Sequence, residues 1–266
     1  LSDINFEIRE GEMVSIVGKN GAGKSTLAKL MCGFEKVDKG AILYKGEDIR
    51  KQSIKERAEF IGFVMQNPNQ MISKNLIFDE VALGLRLRGV NEEEIKERVE
   101  KVLDICGLSP FIEWPISALS YGQKKRVTIA SILVLNPQVL ILDEPTAGLD
   151  PRERIRFRNL LVELSRERIV IFSTHIIEDI SSSCNQVAVL NKGRLRYLGK
   201  PSEMTKEATG RVWQFKIPAS EFTQMAASHL VVHHMSEGDS VRVRVISESQ
   251  PWEKAVTTTP NLEDAY

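Results

Sequence analysis

No charge of either sign is in excess: Lys plus Arg and Asp plus Glu each number 36 among the 266 residues. A balanced chain has no bulk field for nucleic acid or an anionic membrane, so only local basic patches remain available and no nucleic-acid partner is expected. Cysteine is scarce. Cys32, Cys106 and Cys184 are an odd number, far apart and without metal-ligand spacing. They read as buried, reduced thiols of a cytosolic protein rather than as disulfides. No apolar run reaches the ~18 residues of a membrane-spanning helix. The longest, residues 127–144, is interrupted by Asn136 and Pro137. Signal peptide, internal repeat and low-complexity tract are all missing from view. The chain opens at Leu1 without a methionine, in strand-like sequence, and the true N-terminus is expected upstream.

What is present is enough apolar residue, 42%, to build a sizeable core. "EMVSIVG" (12–18), "QVLILDE" (138–144) and "RIVIFSTH" (168–175) are short β-prone runs that end in polar residues. Continuous apolar runs of this length suit strands buried on both faces. Helical patterns lie between them. Leu27, Leu30, Met31 and Phe34 recur on one helical face, and Ile95, Val99, Val102 and Cys106 form another stripe. Asn91 and Glu94 read as a capping box, and Asp150, Pro151 and Glu153 as the N-cap, N1 and N3 of a further helix. "GAILYKGEDI" reads as strands around Gly46, and residues 186–199 as a hairpin about Asn191 to Gly193. Strands alternating with helices predict an α/β fold with a largely parallel sheet. Beyond "GKPSEMTKEATG" the texture changes to half-exposed strands with a helix at 219–229, a small α+β appendage over 211–266.

The strongest chemical signal is "GKNGAGKST", a strand-to-helix turn of the form G-x-x-x-x-G-K-[ST]. Gly18, Lys19, Asn20, Gly21, Ala22, Gly23, Lys24, Ser25 and Thr26 would wrap phosphates with backbone N–H groups at the positive end of a helix. Lys24 would reach the β- and γ-phosphates and Ser25 would bind Mg²⁺. At the end of "QVLILDE", Asp143 would hold the Mg²⁺ shell and Glu144 would polarise an attacking water as general base. A second Ser/Gly turn, "ALSYGQKKRVTIA", opens another helix. Alone, its Ser120 reads as an N-cap, while Lys124, Lys125 and Arg126 read as a solvated or phosphate-adjacent face. Gln66 alone is a turn glutamine, and His175 a strand-end histidine satisfied by solvent.

Taken in order, "GKNGAGKST", "FVMQNPN", "LSYGQKKR", "VLILDEPTAGLD" and "IFSTH" resemble the ATP-binding subunits of ABC transporters over residues 1 to about 205. The resemblance implies a P-loop NTPase fold with a helical signature subdomain over about 67–130, with ATP and Mg²⁺ as ligands. It implies that Gln66 touches Mg²⁺ or its water, that Asp150 closes the D-loop, and that His175 is the switch histidine near the γ-phosphate. Ser120, Tyr121, Gly122 and Gln123 become the signature that closes over ATP held by a second nucleotide-binding domain, in a homo- or heterodimer. Tyr121 stands where the commonest signature has glycine, with its side chain expected to point away. The upstream strand that carries an adenine-stacking aromatic in the family would precede Leu1, which implies weak ATP binding.

The finer resemblance divides. Residues 1–150 are similar to ATPases of energy-coupling-factor importers, whereas 147–266 are similar to those of bacterial exporters and antibiotic-resistance pumps, which suggests a chimera joined near "LDEPTAGLD". Either relationship implies an ATPase peripheral to the cytoplasmic face of the cell membrane, bound to an integral membrane subunit. The alternative is a soluble ABC-type ATPase acting on ribosomes or DNA, a class with two fused cassettes or a long coiled-coil insertion; the short distance from Lys24 to Ser120 disfavours the insertion.

Overall fold

In chain order the first elements are β1 (Met13–Val17), α1 (Lys24–Cys32), β2 (Leu43–Tyr44), β3 (Glu47–Asp48), α2 (Ile54–Arg57) and β4 (Ile61–Val64). Three helices follow, α3 (Ile77–Leu87), α4 (Glu92–Ile105) and α5 (Tyr121–Leu133). Then come β5 (Val139–Leu142), α6 (Pro151–Leu164), β6 (Ile169–Thr174), α7 (Glu178–Ser181), β7 (Gln186–Asn191) and β8 (Arg194–Gly199). They belong to the first of two compact units, Leu1–Leu198 and Gly199–Tyr266, in a computed structural model that describes residues 1–181 and 184–265.

Six strands form one sheet in the order β4–β5–β6–β1–β7–β8, and every pairing from β4 to β7 is parallel. The three apolar runs are its central strands. All five residues of β1 and all four of β5 are buried, because helices cover both faces. Along β1, Met13 joins a core with α3–α6, whereas Val14 and Ile16 join a second core with α1. Val17 pairs with Thr174 and Leu142 with Phe172, so Gly18, Asp143 and His175 leave the sheet along one edge. That edge is where ligands bind in open α/β sheets.

Three predicted features differ in the structure. Residues 1–11 form no strand, although Ile4, Phe6 and Ile8 pack on the core at every second position as a strand would. Helix α1 ends at Gly33, left-handed with φ 84°, so Phe34 lies outside the predicted stripe and is exposed; Leu27, Ala28 and Cys32 are the buried face. Around α4, Asn91 Oδ1 accepts from Glu94 N at 2.9 Å, but the Glu94 carboxylate meets Arg98 at 3.1 Å instead of closing the capping box. The Asp150 cap matches its prediction, its Oδ1 accepting from the Arg152 and Glu153 N–H groups at 2.9 Å each. The β7–β8 turn also matches, with Lys192 and Gly193 both at positive φ. The cysteines are free, Cys32 and Cys106 buried, and burial pushes all three thiols up to about 12. None of the helices in the described residues is long and apolar enough to cross a membrane.

The second unit holds α8 (Pro201–Glu207), β9 (Val212–Pro218), α9 (Phe222–Ser228), β10 (Leu230–Glu237), β11 (Ser240–Ile246), β12 (Val256–Thr257) and α10 (Leu262–Ala265). Its antiparallel sheet, β10–β11–β9–β12, buries Val241, Val243 and Val245 against Phe215, Ile217 and Met225. On the opposite side of β11, Arg244 grips the buried Asp264 carboxylate through Nε and a terminal nitrogen at 2.7 and 2.6 Å. Two neutralising hydrogen bonds make that burial tolerable.

Candidate functional site

The turn after β1 has the shape its glycines predict. Gly21 and Gly23 take positive φ, 81° and 106°, and a Cβ on Gly18 would lie 2.6 Å from the Leu190 carbonyl oxygen. Only glycine fits Gly18 without a backbone shift. Helix α1 begins directly after Gly23 with no side-chain cap, so its first N–H groups point out as anion donors. Lys24 is 5% exposed, its Nζ donating to the Gly18 carbonyl at 2.8 Å and meeting Glu144 Oε1 at 3.2 Å. Ser25 and Thr26 follow on the first turn.

Glu144 is the hub. Its backbone is left-handed, φ 42°, an uncommon state for a residue with a Cβ. Its carboxylate, 11% exposed, meets Lys24 on one oxygen and, on the other, Gln66 Nε2 at 3.1 Å and His175 Nδ1 at 3.3 Å. Three residues predicted separately thus converge on the carboxylate of a fourth. His175 keeps 46% of its side chain exposed, so its free edge faces out of this cluster. Asp143 lies beside Glu144 and accepts from Ser173 Oγ at 2.6 Å, while Ser173 Oγ itself accepts from the Glu144 N–H at 2.8 Å. Ser173 therefore fixes both acids relative to β6.

Three residues of this network escaped the sequence reading. Ser173 is a polar residue inside an apolar strand, a detectable signal. Asp179, fully buried, accepts from the Thr146 and Thr174 hydroxyls and so joins the segment after Glu144 to the segment of His175. Lys125 is the clearest correction. It is 2% exposed rather than solvated, and its Nζ donates to the carbonyls of Glu144, Pro145 and Ala147 at 3.0, 2.9 and 2.9 Å. Burial pushes its ammonium down to about 8, against the upward pull of the Glu144 and Asp143 carboxylates. The spacing carries a signal for this: Lys125 is three residues after Gly122 and four before Ile129, both buried. Arg126 likewise turns inward to the Cys106 and Gly107 carbonyls at 3.1 Å.

The second Ser/Gly turn stands at the N-terminus of α5. Ser120 Oγ accepts from Gln123 N at 3.2 Å and Gln123 Oε1 accepts from Ser120 N at 2.8 Å, a complete capping box. Ser120 and Tyr121 are exposed, Gln123 half-buried, and Gly122 buried against Glu153 of α6. Tyr121 turns back into its own unit, its hydroxyl 3.5 Å from the Gln66 carbonyl and its ring against Gly148. Asp150, besides capping α6, lies six residues after Glu144 on the same connection.

Known proteins share this sequence and fold. The ABC transporter family matches residues 1–147. A protein of Clostridium perfringens described as an ABC transporter ATP-binding protein is 56% identical over 195 residues, 73% of this chain and 34% of that protein. One of Enterococcus faecalis with the same description is 58% identical over 196 residues, again 73% and 34%. The chain thus spans about a third of the length of these curated relatives. Matches that cover 73% of the chain run through the expected junction near 147 into the residues beyond it. Among solved structures, cbiO1 of Clostridium perfringens, part of the ABC transporter complex cbiONQ, superposes with a TM-score of 0.73 at 38% identity. That similarity covers 77% of this chain and 83% of cbiO1. With its glycine-rich turn, paired strand-end acids and the Ser/Gly turn of α5 in place, the chain belongs to the ABC transporter family.

Proposed function

We propose that the chain binds and hydrolyses ATP, pairs with a second nucleotide-binding domain around two ATP molecules, and powers a membrane subunit at the cytoplasmic face. The convergence of Lys24, Gln66 and His175 on the Glu144 carboxylate carries the reading. In this reading the N–H groups of residues 18–26 and the start of α1 hold the phosphates, and Lys24 leaves Glu144 for the β- and γ-phosphates. Glu144, freed of that ion pair, accepts a proton from the attacking water, and His175 orients the γ-phosphate from the exposed side. Ser25, Gln66 and Asp143 form an all-oxygen set of hydroxyl, amide and carboxylate that suits Mg²⁺, which would neutralise phosphate charge.

In the same reading, Ser120, the Gly122 N–H and the positive end of α5 would meet the ATP of a partner domain, with Asp150 at the same junction. Closure on ATP and reopening after hydrolysis would shift the membrane subunit between states. Likeness to cbiO1 supports an energy-coupling-factor type of assembly for residues 1–198, with 199–266 as an accessory domain. The test is Glu144→Gln. It should lower ATP turnover by ~10²–10⁴ and leave ATP affinity intact, since the phosphate-binding turn is untouched. Unchanged turnover removes Glu144 as the base and the reading with it.

A further inference from the structure

Glu144 is held at both of its peptide groups by different elements. Its N–H goes to Ser173 on β6, and its carbonyl goes to Lys125 on α5. A left-handed glutamate persists only where its surroundings over-determine it. Lys125 extends that constraint along the chain, because the same ammonium also holds the Pro145 and Ala147 carbonyls. One helical turn earlier, the Tyr121 ring lies 5.4 Å from Lys125 Nζ and covers Gly148, where a Cβ would sit 3.2 Å from the ring. Residues 144–148 are therefore bound as a unit to the face of α5 whose N-terminus is the signature turn.

We propose that Lys125 is a positioning residue for hydrolysis, bracing the backbone of Glu144 against the signature helix of the same chain. The inference rests on the assignment of Glu144 as the base. It deepens that assignment by linking each chain's outward-facing signature to its own hydrolytic carboxylate. Movement of α5 when Ser120 meets a partner's ATP is transmitted through one ammonium to the segment that carries Glu144 and leads to Asp150. The three protons of Lys125 are all given to carbonyls of its own chain, which leaves none for nucleotide, so its loss is felt in turnover and not in binding.

The full chain carrying Lys125→Met tests this. Turnover should fall by about 10- to 100-fold, the scale of a small misplacement of a reacting group, while the Kd for ATP stays within about threefold. Lys125→Gln, which keeps two donors on a shorter side chain, should fall between wild type and Met. Combined with Glu144→Gln, Lys125→Met should lower turnover no further, because both changes disable one device. Three results would overturn the proposal: wild-type turnover in a folded Lys125→Met chain, a Kd that weakens as much as turnover falls, or additive losses in the double variant. Should the Met variant fail to fold, Lys125→Gln decides alone, and wild-type turnover there overturns it. If Glu144→Gln itself leaves turnover unchanged, the assignment of the base fails first, independently of how Lys125→Gln behaves.

Discussion

At the residue scale, two lysines with buried ammonium groups do opposite work. Lys24 sits at the start of α1 with a carboxylate partner, which the proposed function has it exchange for phosphate. Lys24→Ala should raise the Kd for ATP by about 100-fold or more, because a charge-assisted phosphate contact is lost from an already buried site. A fluorescent ATP analogue read by anisotropy checks this, and unchanged affinity would contradict the phosphate role. Lys125 instead spends its three protons on carbonyls of its own chain. Its pKa falls from an ordinary lysine value to about 8 chiefly through burial. Below about pH 8 it is charged in both folded and unfolded chains, and the full desolvation penalty stands. Between about 8 and the unfolded value of ~10.4 the native state releases its proton first, so the unfolded chain holds more protons and stability rises with pH. The three buried thiols, held up at about 12, act in the opposite direction above ~8.5, so the Lys125 contribution is read as a difference: the urea midpoint of wild type relative to Lys125→Met should rise from pH 7.5 to 10.

At the scale of elements, the signature helix depends on its first turn and its packing. Ser120→Ala removes the hydroxyl that accepts from Gln123 N, and should cost about 1 kcal/mol of stability in chemical unfolding. The helix then packs so closely on β4 that a Cβ on Gly62 would lie 2.4 Å from Ile132 Cγ2 and 2.9 Å from Pro137 Cγ. Gly62→Ala should therefore destabilise by roughly 1–3 kcal/mol despite removing a flexible residue. A neutral result would show that α5 can move away from the sheet at little cost. The same glycine hid β4 from the sequence: a four-residue run with Gly at its second position carries little strand signal, and its need for Gly arises from a helix seventy residues away. Strands β1, β5 and β6 were legible because burial on both faces leaves an unbroken apolar run. The α1 stripe was misread at its end, since Phe34 keeps the helical spacing past the Gly33 stop. Residues 4, 6 and 8 show the converse: alternation marks the face that is buried, but pairing needs a neighbouring strand with free backbone groups.

For the whole molecule, the proposed function has a second domain complete each ATP site, through the exposed turn of α5 and the cluster around Glu144. Glu144→Gln should be eluted at twice the monomer mass in the presence of ATP and Mg²⁺, and at monomer mass without nucleotide, by size exclusion with light scattering. A monomer under both conditions would count against pairing with itself and leave a heteromeric partner as the remaining form. The division into Leu1–Leu198 and Gly199–Tyr266 predicts a further separation. A chain ending at Leu198 should unfold cooperatively and retain the ATP affinity of the full chain, because each unit has its own core.

The glycine-rich turn after β1, the strand-end acids and the caps of α5 and α6 were all readable from the primary structure, because each is settled within a few residues by glycine geometry, apolar runs and capping chemistry. The motif order was readable for the same reason, and with it the family. Folding alone decided which of these fragments meet. Gln66 and His175 reach Glu144 from 78 and 31 residues away along the chain. Periodicity reports which face of an element is buried, never which distant element covers it. Lys125 is the sharpest instance: a cation in a run of cations became the buried brace of Glu144 only when α5 was laid across the end of β5.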